Sequence, residues 1–294
     1  MIDATDTALV IEGGGMRNSY TAPAIVRLIQ EDVRFGWVGG VSAGAAHAVN
    51  YASRDAHRAR ESFTNFVAHE KFGGWVSLAR GNGYFNAEFI YEGSDHILPF
   101  DFETFEANHD TEVHIEAVRA DTGHTVTWNR KDLTSTEIIG QVTRASSTLP
   151  KVMPMGTIDG IPYVDGALGV SGGLLIDAAI AAGFSKFLVL ATKERNYVRP
   201  DNTRPIATRR LFPKHPAVAE ALIARPPRYN ASKDTILELE KQGRAKVFFP
   251  ESMSVDASER NVVKLSANYL MGKTQVEREW DEWVDFLSAP VTLS

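Results

Sequence analysis

Thr7-Ala8-Leu9-Val10-Ile11-Glu12-Gly13-Gly14-Gly15, near the start of the chain, gives the clearest indication of the fold. The apolar run at 7–11 predicts a strand buried on both faces, as in a parallel sheet. The glycines predict a tight turn, and apolar residues at helical spacing predict a helix at 19–31. A buried strand, a glycine turn and a helix in succession are typical of an α/β protein.

The same alternation of strands and helices continues along the chain. It predicts a three-layer α/β/α fold with a mainly parallel central sheet. Asp121-Thr122-Gly123 also predicts a hairpin turn between two strands. The predicted strands are 37–41, 112–118, 124–128, 163–164, 186–190 and 246–249, and the predicted helices in this part are 43–49, 136–146 and 174–182.

The last third of the chain is less regular. Region 195–233 is rich in proline and arginine with weak periodicity, which favours a mobile lid or a surface excursion. Helices are predicted at 234–243, 258–271 and 274–287. We therefore predict a core at 1–195 and, at 196–294, a proline-rich excursion with a C-terminal α/β extension. Because single α/β domains reach 294 residues, both parts are expected to form one domain with a C-terminal helical extension.

Composition excludes several classes of protein. The chain has no cysteine, so disulfides and thiolate metal sites are excluded, and no other metal-ligand spacing is visible. We expect no metal or other cofactor. The net charge of −6 argues against nucleic acid as a partner. The acidic N-terminal residues and the short apolar runs predict a cytoplasmic protein with peripheral membrane contact at most.

Gly40-Val41-Ser42-Ala43-Gly44 matches the Gly-x-Ser-x-Gly pattern of a nucleophile elbow. The predicted strand before Ser42 and the predicted helix after it supply the strand-turn-helix context that the pattern requires. The helix N-terminus would direct amides and a positive dipole end at developing negative charge. The alternative is an ordinary tight turn in which the serine only caps the helix.

Gly13-Gly14-Gly15 is expected at the same carboxyl edge of the sheet as Ser42. Backbone amides of this loop, continuing into Met16 and Arg17, would suit an oxyanion, which needs preorganised donors. The alternative is a phosphate loop for a nucleotide, but the Gly-x-Gly-x-x-Gly and Gly-Lys-Ser/Thr spacings are both missing. Arg17 could orient the loop, meet an anionic head group, or be an ordinary solvated charge.

A nucleophilic serine needs a proton acceptor. The chain has eight histidines, but His47, His114 and His215 lie in no telling local motif and are interpreted as surface or structural residues. Asp165, in Tyr163-Val164-Asp165-Gly166-Ala167, ends a short predicted strand beside Gly166, at the expected carboxyl edge. The alternative for Asp165 is a plain Asp-Gly turn residue.

Taken in order, Gly13-Gly14-Gly15-Met16-Arg17, Gly40-Val41-Ser42-Ala43-Gly44 and Asp165-Gly166-Ala167 resemble the patatin-like phospholipase family. Ala145-Ser146-Ser147-Thr148-Leu149-Pro150 and Pro154 resemble that family's approach to its aspartate. The similarity covers residues 7–192, and Arg228-Tyr229-Asn230 resembles bacterial patatin-like proteins more loosely. Asn18 departs from the pattern, since the family usually has glycine there.

The resemblance implies a Ser-Asp dyad without histidine. Asp165 would take the Ser42 proton, an acyl-enzyme would form, and the glycine loop would hold the oxyanion. Family members act on phospholipids, lysophospholipids or glycerides. The alternatives are an α/β-hydrolase with Ser42, Asp165 and His215, and a non-catalytic lipid-binding protein.

An acyl chain needs an apolar trench. The aromatic-rich part of region 54–111 is a candidate lining, although such residues often only form core. We expect this segment and region 195–233 to flank the entrance. The aromatic candidates are Phe63, Phe66, Phe72, Trp75, Phe85 and Phe89.

Overall fold

An eight-stranded sheet forms the centre of the protein, whose computed structural model describes residues 1–290. Its strands are β1 (Ile2–Ile11), β2 (Val33–Gly40), β3 (Glu112–Arg119), β4 (Thr125–Asn129), β5 (Gly156–Ile158), β6 (Ile161–Asp165), β7 (Lys186–Leu190) and β8 (Ala245–Phe248). Their order in the sheet is β5-β6-β3-β2-β1-β7-β8, and β4 also pairs with β3.

Helices flank this sheet on both faces. Within residues 1–290 the α-helices are α1 (Ala22–Gln30), α2 (Ala43–Ala52), α3 (Ala56–Glu61), α4 (Trp75–Ala79), α5 (Phe102–Ala107), α6 (Thr136–Ser147), α7 (Ile176–Ala181), α8 (Pro205–Leu211), α9 (Pro216–Lys241) and α10 (Val262–Ser288). Short 3-10 helices cover Gly15–Ser19, Phe66–Ala68, Arg130–Asp132 and Gly166–Leu168, and Phe89–Gly93 forms a π-helix.

The sheet is mainly parallel and lies between two helical layers. Strands β3, β2, β1, β7 and β8 run parallel to one another. Successive side chains of β1 point to opposite faces, as in any strand. Leu9 and Ile11 enter the core that contains α1 and α10, whereas Ala8 and Val10 enter the core that contains α7 and α9. The predicted three-layer α/β/α fold is confirmed.

Strands β2 and β6 lie end to end along the same edge of β3. Because β4 pairs along the opposite edge of β3, β2 and β6 share the remaining edge. Gly40 at the end of β2 pairs with Ile115, and Asp165 at the end of β6 pairs with Ala117, two residues further along β3. Two residues of a strand span about 7 Å. The carboxyl ends of β2 and β6 therefore face each other across a short gap.

This arrangement corrects one premise of the sequence analysis. Asp165 does end a strand, but β6 runs antiparallel to β3 and so opposite to the five parallel strands. Asp165 reaches the carboxyl edge of β2 because β3 extends beyond β2 and β6 returns along it. The argument from parallel strands therefore placed Asp165 at the correct edge of the sheet, although the strand that carries it is antiparallel.

Region 195–233 differs most from its prediction. Most of it is helical, and α9 alone has 26 residues that continue through Pro226 and Pro227 into the helix predicted at 234–243. Residues 216–233 are thus regular helix despite their weak periodicity, and the surface excursion stays a prediction. A proline inside a helix lacks the N–H that would bind the carbonyl four residues earlier, so Leu222 and Ile223 lose their helical partners.

Helix α9 is tied to the loop that follows β6. Arg228 Nη1 donates to the carbonyl oxygen of Leu168 at 3.2 Å, and Ser232 Oγ donates to that of Ser171 at 2.9 Å. These bonds satisfy carbonyl groups at the end of the 3-10 helix Gly166–Leu168 and in the turn that follows it. They connect the C-terminal part of the chain to the strand end at Asp165, and the division at residue 195 stays a prediction.

The two helices predicted at 258–271 and 274–287 form the single helix α10. Gly272 lies at the predicted break, but its role is packing. A Cβ atom at Gly272 would lie 2.1 Å from the carbonyl oxygen of Tyr20, so the missing side chain lets α10 contact the chain just before α1.

Candidate active site

Ser42 occupies a strained turn between β2 and α2. Its φ of 57° and ψ of −130° are rare for a residue with a side chain. The motif glycines are required by close packing. A Cβ at Gly40 would lie 2.3 Å from the carbonyl oxygen of Gly44, and a Cβ at Gly44 would lie 2.4 Å from that of Ile11. This is the geometry of a nucleophile elbow.

A buried hydroxyl fixes the elbow to the neighbouring strand. The amide of Ser42 donates to Ser146 Oγ at 2.9 Å, and that hydroxyl donates to the carbonyl oxygen of Glu116 at 2.6 Å. Ser146 lies on α6 and is fully buried. The Ser42 amide is therefore occupied by the protein itself.

The glycine loop lies directly against the elbow. A Cβ atom at Gly13 would lie 2.7 Å from the carbonyl oxygen of Val41 and 3.1 Å from Cβ of Ser42. No side chain larger than hydrogen fits between the loop and the serine without displacing one of them. Gly13 therefore lies beside Ser42, as the sequence analysis expected for the loop.

The other two loop glycines contact the C-terminal half of the chain. A Cβ at Gly14 would lie 2.6 Å from Thr192 Oγ1, and a Cβ at Gly15 would lie 2.4 Å from the carbonyl oxygen of Ala257. Gly15 also has φ +57°, which favours glycine. The loop is thus confined on both sides.

Not every amide of the predicted oxyanion loop is free to bind a substrate. The Met16 amide donates to the carbonyl oxygen of Ala257 at 3.0 Å, and the Arg17 amide makes a long bond to that of Gly14 at 3.4 Å. The structure therefore removes Met16 from the predicted donors, because its N–H already has a partner.

The side chain of Asn18 binds a further backbone amide of the loop. In the side-chain orientation that satisfies its neighbours, its Oδ1 accepts from the Gly14 amide at 3.1 Å, and its Nδ2 donates to the carbonyl oxygen of Glu12 at 3.2 Å. Asn18 is buried and has no left-handed backbone, so it braces the loop through its side chain. Within residues 1–290, the amides of Gly13 and Gly15 remain without an acceptor.

Asp165 is held rigidly at the end of β6. Its Oδ1 accepts from the Ala167 amide at 2.8 Å, and its own amide donates to the carbonyl oxygen of Thr148 at 2.9 Å. Gly166 is required here as well, because a Cβ would lie 2.1 Å from the carbonyl oxygen of Glu116. Asp165 is only 4% exposed.

Burial is the main influence on the Asp165 carboxyl. It raises the pKa of Asp165, whereas the charge of Arg225, the Ala167 amide and the Ser42 hydroxyl lower that pKa in part. The Ser42 hydroxyl is thus near the carboxyl.

Ser42, Asp165 and the glycine loop open into one cavity of about 520 Å³. This volume lies in the usual range for ligand sites. The aromatic segment contributes to the lining of this cavity, as predicted, with two exceptions. Trp75 is 76% exposed, and Phe89 lies behind the lining, stacked on Phe66. The aromatic candidates that do line the cavity are Phe63, Phe66, Phe72 and Phe85.

Comparison with known families agrees with this geometry. The sequence model of the Patatin-like phospholipase family matches residues 9–181, more than half of the chain. The chain belongs to the patatin-like phospholipase family. The matched part contains the glycine loop, Ser42 and Asp165, and membership of the family makes this protein a lipid hydrolase.

Other comparisons of this patatin-like protein are more distant. A model described as a domain of unknown function (DUF6363) matches residues 215–288. No curated protein matches the chain. Among solved structures, VipD from Legionella pneumophila is similar with a TM-score of 0.38 and 11% identity, covering 94% of this chain and 77% of that one. We base no inference on so low a structural similarity.

Histidine does not line the cavity of this patatin-like protein anywhere in residues 1–290. His47 on α2 is fully buried, and its Nε2 lies 3.2 Å from the carbonyl oxygen of Asn18. Burial lowers the pKa of His47 to about 4, so it is neutral at physiological pH. His114 contacts Glu116, and His215 precedes α9. All three lie outside the lining.

Besides Arg58 on α3, two further arginines that the sequence analysis did not single out line the cavity. Arg199 precedes α8, Arg225 lies on α9, and both share the lining with Arg17. Asn230 holds the backbone of Arg199, accepting from its amide at 2.8 Å and donating to its carbonyl oxygen at 3.0 Å. The signal that could have identified this link is Arg225-Pro226-Pro227-Arg228-Tyr229-Asn230, the segment of looser family resemblance.

Tyr91 is another unpredicted polar residue of the lining. Burial raises the pKa of its phenol, a nearby Ser147 hydroxyl lowers that pKa, and the charge of Asp165 raises it further. The phenol is therefore a neutral donor close to the carboxyl.

No helix within residues 1–290 combines the length and apolarity needed to cross a bilayer.

Proposed function

We propose that the protein hydrolyses acyl esters of lipids through an acyl-enzyme on Ser42, with Asp165 as the general base. The observation that carries the proposal is the end-to-end meeting of β2 and β6, which brings a strained serine and a buried carboxyl to one cavity. Phospholipids, lysophospholipids and glycerides are the proposed substrates. Cytoplasmic location and peripheral membrane contact stay predictions of the sequence.

The geometry supports a two-step reaction. As Ser42 Oγ attacks the acyl carbonyl, Asp165 accepts its proton, and Asp165 then gives that proton to the departing alcohol. In the second step Asp165 takes a proton from water, whose oxygen attacks the acyl-enzyme. The fatty acid departs, and the proton returns to Ser42.

We expect the contact between the Ser42 hydroxyl and the Asp165 carboxyl to shorten when substrate binds. Catalytic hydrogen bonds are often long in free enzymes and shorten when substrate binds. Ser42 has a rotatable hydroxyl on a fixed backbone, whereas Asp165 is anchored by the Ala167 amide. We therefore expect the serine side chain, rather than the aspartate, to complete the contact.

Gly13 and Gly15 are the proposed oxyanion donors. Their amides lack acceptors in the part of the chain that the structure describes, and the loop lies against Ser42. Preorganised N–H groups of this kind stabilise a tetrahedral oxyanion without reorganisation during the reaction. Arg17 lines the same cavity, so its charge would add to this positive field.

Acyl-enzyme formation tests the nucleophile. Wild-type protein and Ser42→Ala are treated with a fluorophosphonate probe and assayed with p-nitrophenyl butyrate and a lysophospholipid. We expect the wild type to be labelled and active and Ser42→Ala to be neither. Ser62→Ala is the matched control, since Ser62 also lines the cavity.

Two results would refute the proposal. One is unchanged hydrolysis by a folded Ser42→Ala variant, and the other is a wild type that neither reacts with the probe nor hydrolyses any ester. The second result would favour a non-catalytic lipid-binding protein. Circular dichroism of every variant shows whether the fold is retained.

A further inference from the structure

Three arginines gather at one part of the cavity lining. Arg17 comes from the glycine loop, Arg199 from the chain before α8, and Arg225 from α9. Within residues 1–290, none of these three arginines forms an ion pair, and the ion pairs that involve arginine are formed by other arginines of the chain. These three therefore face the cavity without a carboxylate bound to them.

The guanidinium of Arg225 is in an unfavourable position in the empty site. Its Nε is buried and has no acceptor, and the Nε of Arg17 is in the same condition. Burial lowers the pKa of Arg225, and the like charges of Arg199 and Arg17 lower it further. Buried cations and donors without partners cost free energy, so an anion placed here would be stabilised.

The carboxylates nearby do not remove this excess of positive charge. Glu12 and Asp165 favour the charged form of Arg225. However, Glu12 Oε2 already accepts from the Thr192 amide at 2.6 Å, and Asp165 is the group that must take up a proton in the reaction. Around Arg225, the group of interacting charges therefore has three arginines and two carboxylates, in a chain whose net charge is −6.

We propose that Arg199 and Arg225, assisted by Arg17, bind the phosphate group of an acylated glycerol phosphate whose acyl ester is cleaved at Ser42. The proposal rests on the proposed function, since it specifies the substrate class of that site. Guanidinium groups match phosphate oxygens in geometry and bind them with charge-assisted, often bidentate hydrogen bonds.

The arrangement of the cavity suits such a substrate. In an acylated glycerol phosphate, the ester and the phosphate are separated by the short glycerol unit. In this protein the arginines, Ser42 and the aromatic residues all line the same cavity. One cavity therefore offers a cationic group for the phosphate, a nucleophile for the ester and apolar side chains for the acyl chain.

A different role for Arg225 makes a different prediction. Its charge lowers the pKa of Asp165, so it could act only as a positioning residue for the base. Loss of Arg225 would then slow every ester equally and move the acidic limb of the pH profile upward. Phosphate binding instead predicts a loss that is much larger for phosphorylated substrates than for neutral ones.

A matched pair of substrates separates these roles. The pair is 1-octanoylglycerol 3-phosphate and 1-octanoylglycerol, which share the scissile ester and differ in the phosphate. We expect wild type to favour the phosphorylated ester in kcat/KM by about tenfold or more. Arg225→Gln and Arg199→Gln should each lower kcat/KM for the phosphorylated ester much more than for the neutral ester, and so abolish most of this preference.

Arg210→Gln is the matched control, because Arg210 is exposed on α8 and lies outside the cavity lining. Inorganic phosphate is added as a second arm. It should raise the apparent KM for the phosphorylated ester in wild type and do so less in Arg225→Gln. Phosphate that alters hydrolysis of the neutral ester without competing with the phosphorylated one would indicate a site for the free ion and overturn the proposal.

The remaining outcomes are distinct. Hydrolysis of both esters at equal rates, or equal losses on both in the arginine variants with a shifted pH limb, overturns the phosphate site and leaves the hydrolase intact. Absence of hydrolysis of either ester by wild type contradicts the proposed function itself.

Discussion

The two walls of the cavity are built in different ways. The polar wall, with Ser42, Asp165 and the glycine loop, is formed by strand ends and by backbones that approach within the space of a missing Cβ. The apolar wall is formed by aromatic side chains from short helices and loops between residues 56 and 100.

Because of this difference, we expect the polar wall to determine the reaction rate and the apolar wall to determine the affinity for the acyl chain. Positions on the polar wall are set by close backbone contacts, so small displacements change the reaction rate. The apolar wall acts through buried area, at about 25 cal/mol per Å², and tolerates gradual change. Substitutions on the polar wall should therefore lower kcat for every ester, whereas those on the apolar wall should alter the preference for chain length.

The largest effect is expected for Asp165→Asn. Losing the base should lower kcat by about 10²- to 10⁴-fold. Burial raises the pKa of Asp165, so at neutral pH the ionised carboxylate destabilises the fold, and its removal should raise the melting temperature. Asp177→Asn, at an exposed carboxyl on α7 outside the cavity lining, is the control for both measurements. Full activity in Asp165→Asn would contradict the assigned role.

Gly13→Ala should be the next most harmful change. Its Cβ would lie 2.7 Å from the carbonyl oxygen of Val41, which forces the loop away from Ser42. Loss of one oxyanion donor typically costs about 10²- to 10³-fold in kcat. Gly93→Ala, whose Cβ meets nothing closer than 3.5 Å, should change kcat little. Equal kinetics for the two variants would exclude Gly13 from the oxyanion site.

The pH profile of the wild type should show the buried base. Because Asp165 acts when ionised and burial raises its pKa, kcat/KM should fall by about tenfold per unit as pH decreases below a limb that lies above 3.8. The measurement uses a neutral ester, so that the charge of the substrate stays constant. A limb at or below the usual pKa of aspartate would contradict the desolvated base.

Ala46→Leu tests the apolar wall. Ala46 lies on α2 about one turn from Ser42 and lines the cavity. The added carbons would displace about two methylene groups of a long acyl chain, worth about tenfold in kcat/KM. Butyryl esters should react as before, whereas palmitoyl esters should lose this factor. Equal loss on both would show that the two walls are not independent.

His215→Ala should have the smallest effect, below about twofold in kcat. His215 precedes α9 and is absent from the cavity lining. A Ser-Asp-His triad would instead lose several orders of magnitude. The same ester assay as for Asp165→Asn provides the measurement.

Short-range sterics explain which parts of the site could be predicted. The glycine loop and the elbow are each contained in five consecutive residues, because the close approaches they allow require glycine at fixed positions. The direction of β6 could not be predicted, since it depends on pairing with β3, whose residue Ala117 pairs with Asp165 across 48 positions of the chain.

The C-terminal region was less predictable for a different reason. Pro226 and Pro227 normally end a helix, yet α9 continues because tertiary contacts such as that of Arg228 with Leu168 support it. Gly272 indicates a break by propensity but serves the contact with Tyr20. Arg199 and Arg225 resemble solvated charges in the sequence, and only the fold brings them to the cavity.

The bond from the Met16 amide to the carbonyl oxygen of Ala257 has a consequence for modularity. It fastens the first functional loop of the chain to a segment more than 200 residues later, beyond the part that matches the family. We therefore expect a fragment cut after residue 195 to be a poor minimal enzyme even if it folds. An exchange of the C-terminal part between relatives would therefore have to preserve this hydrogen bond as well.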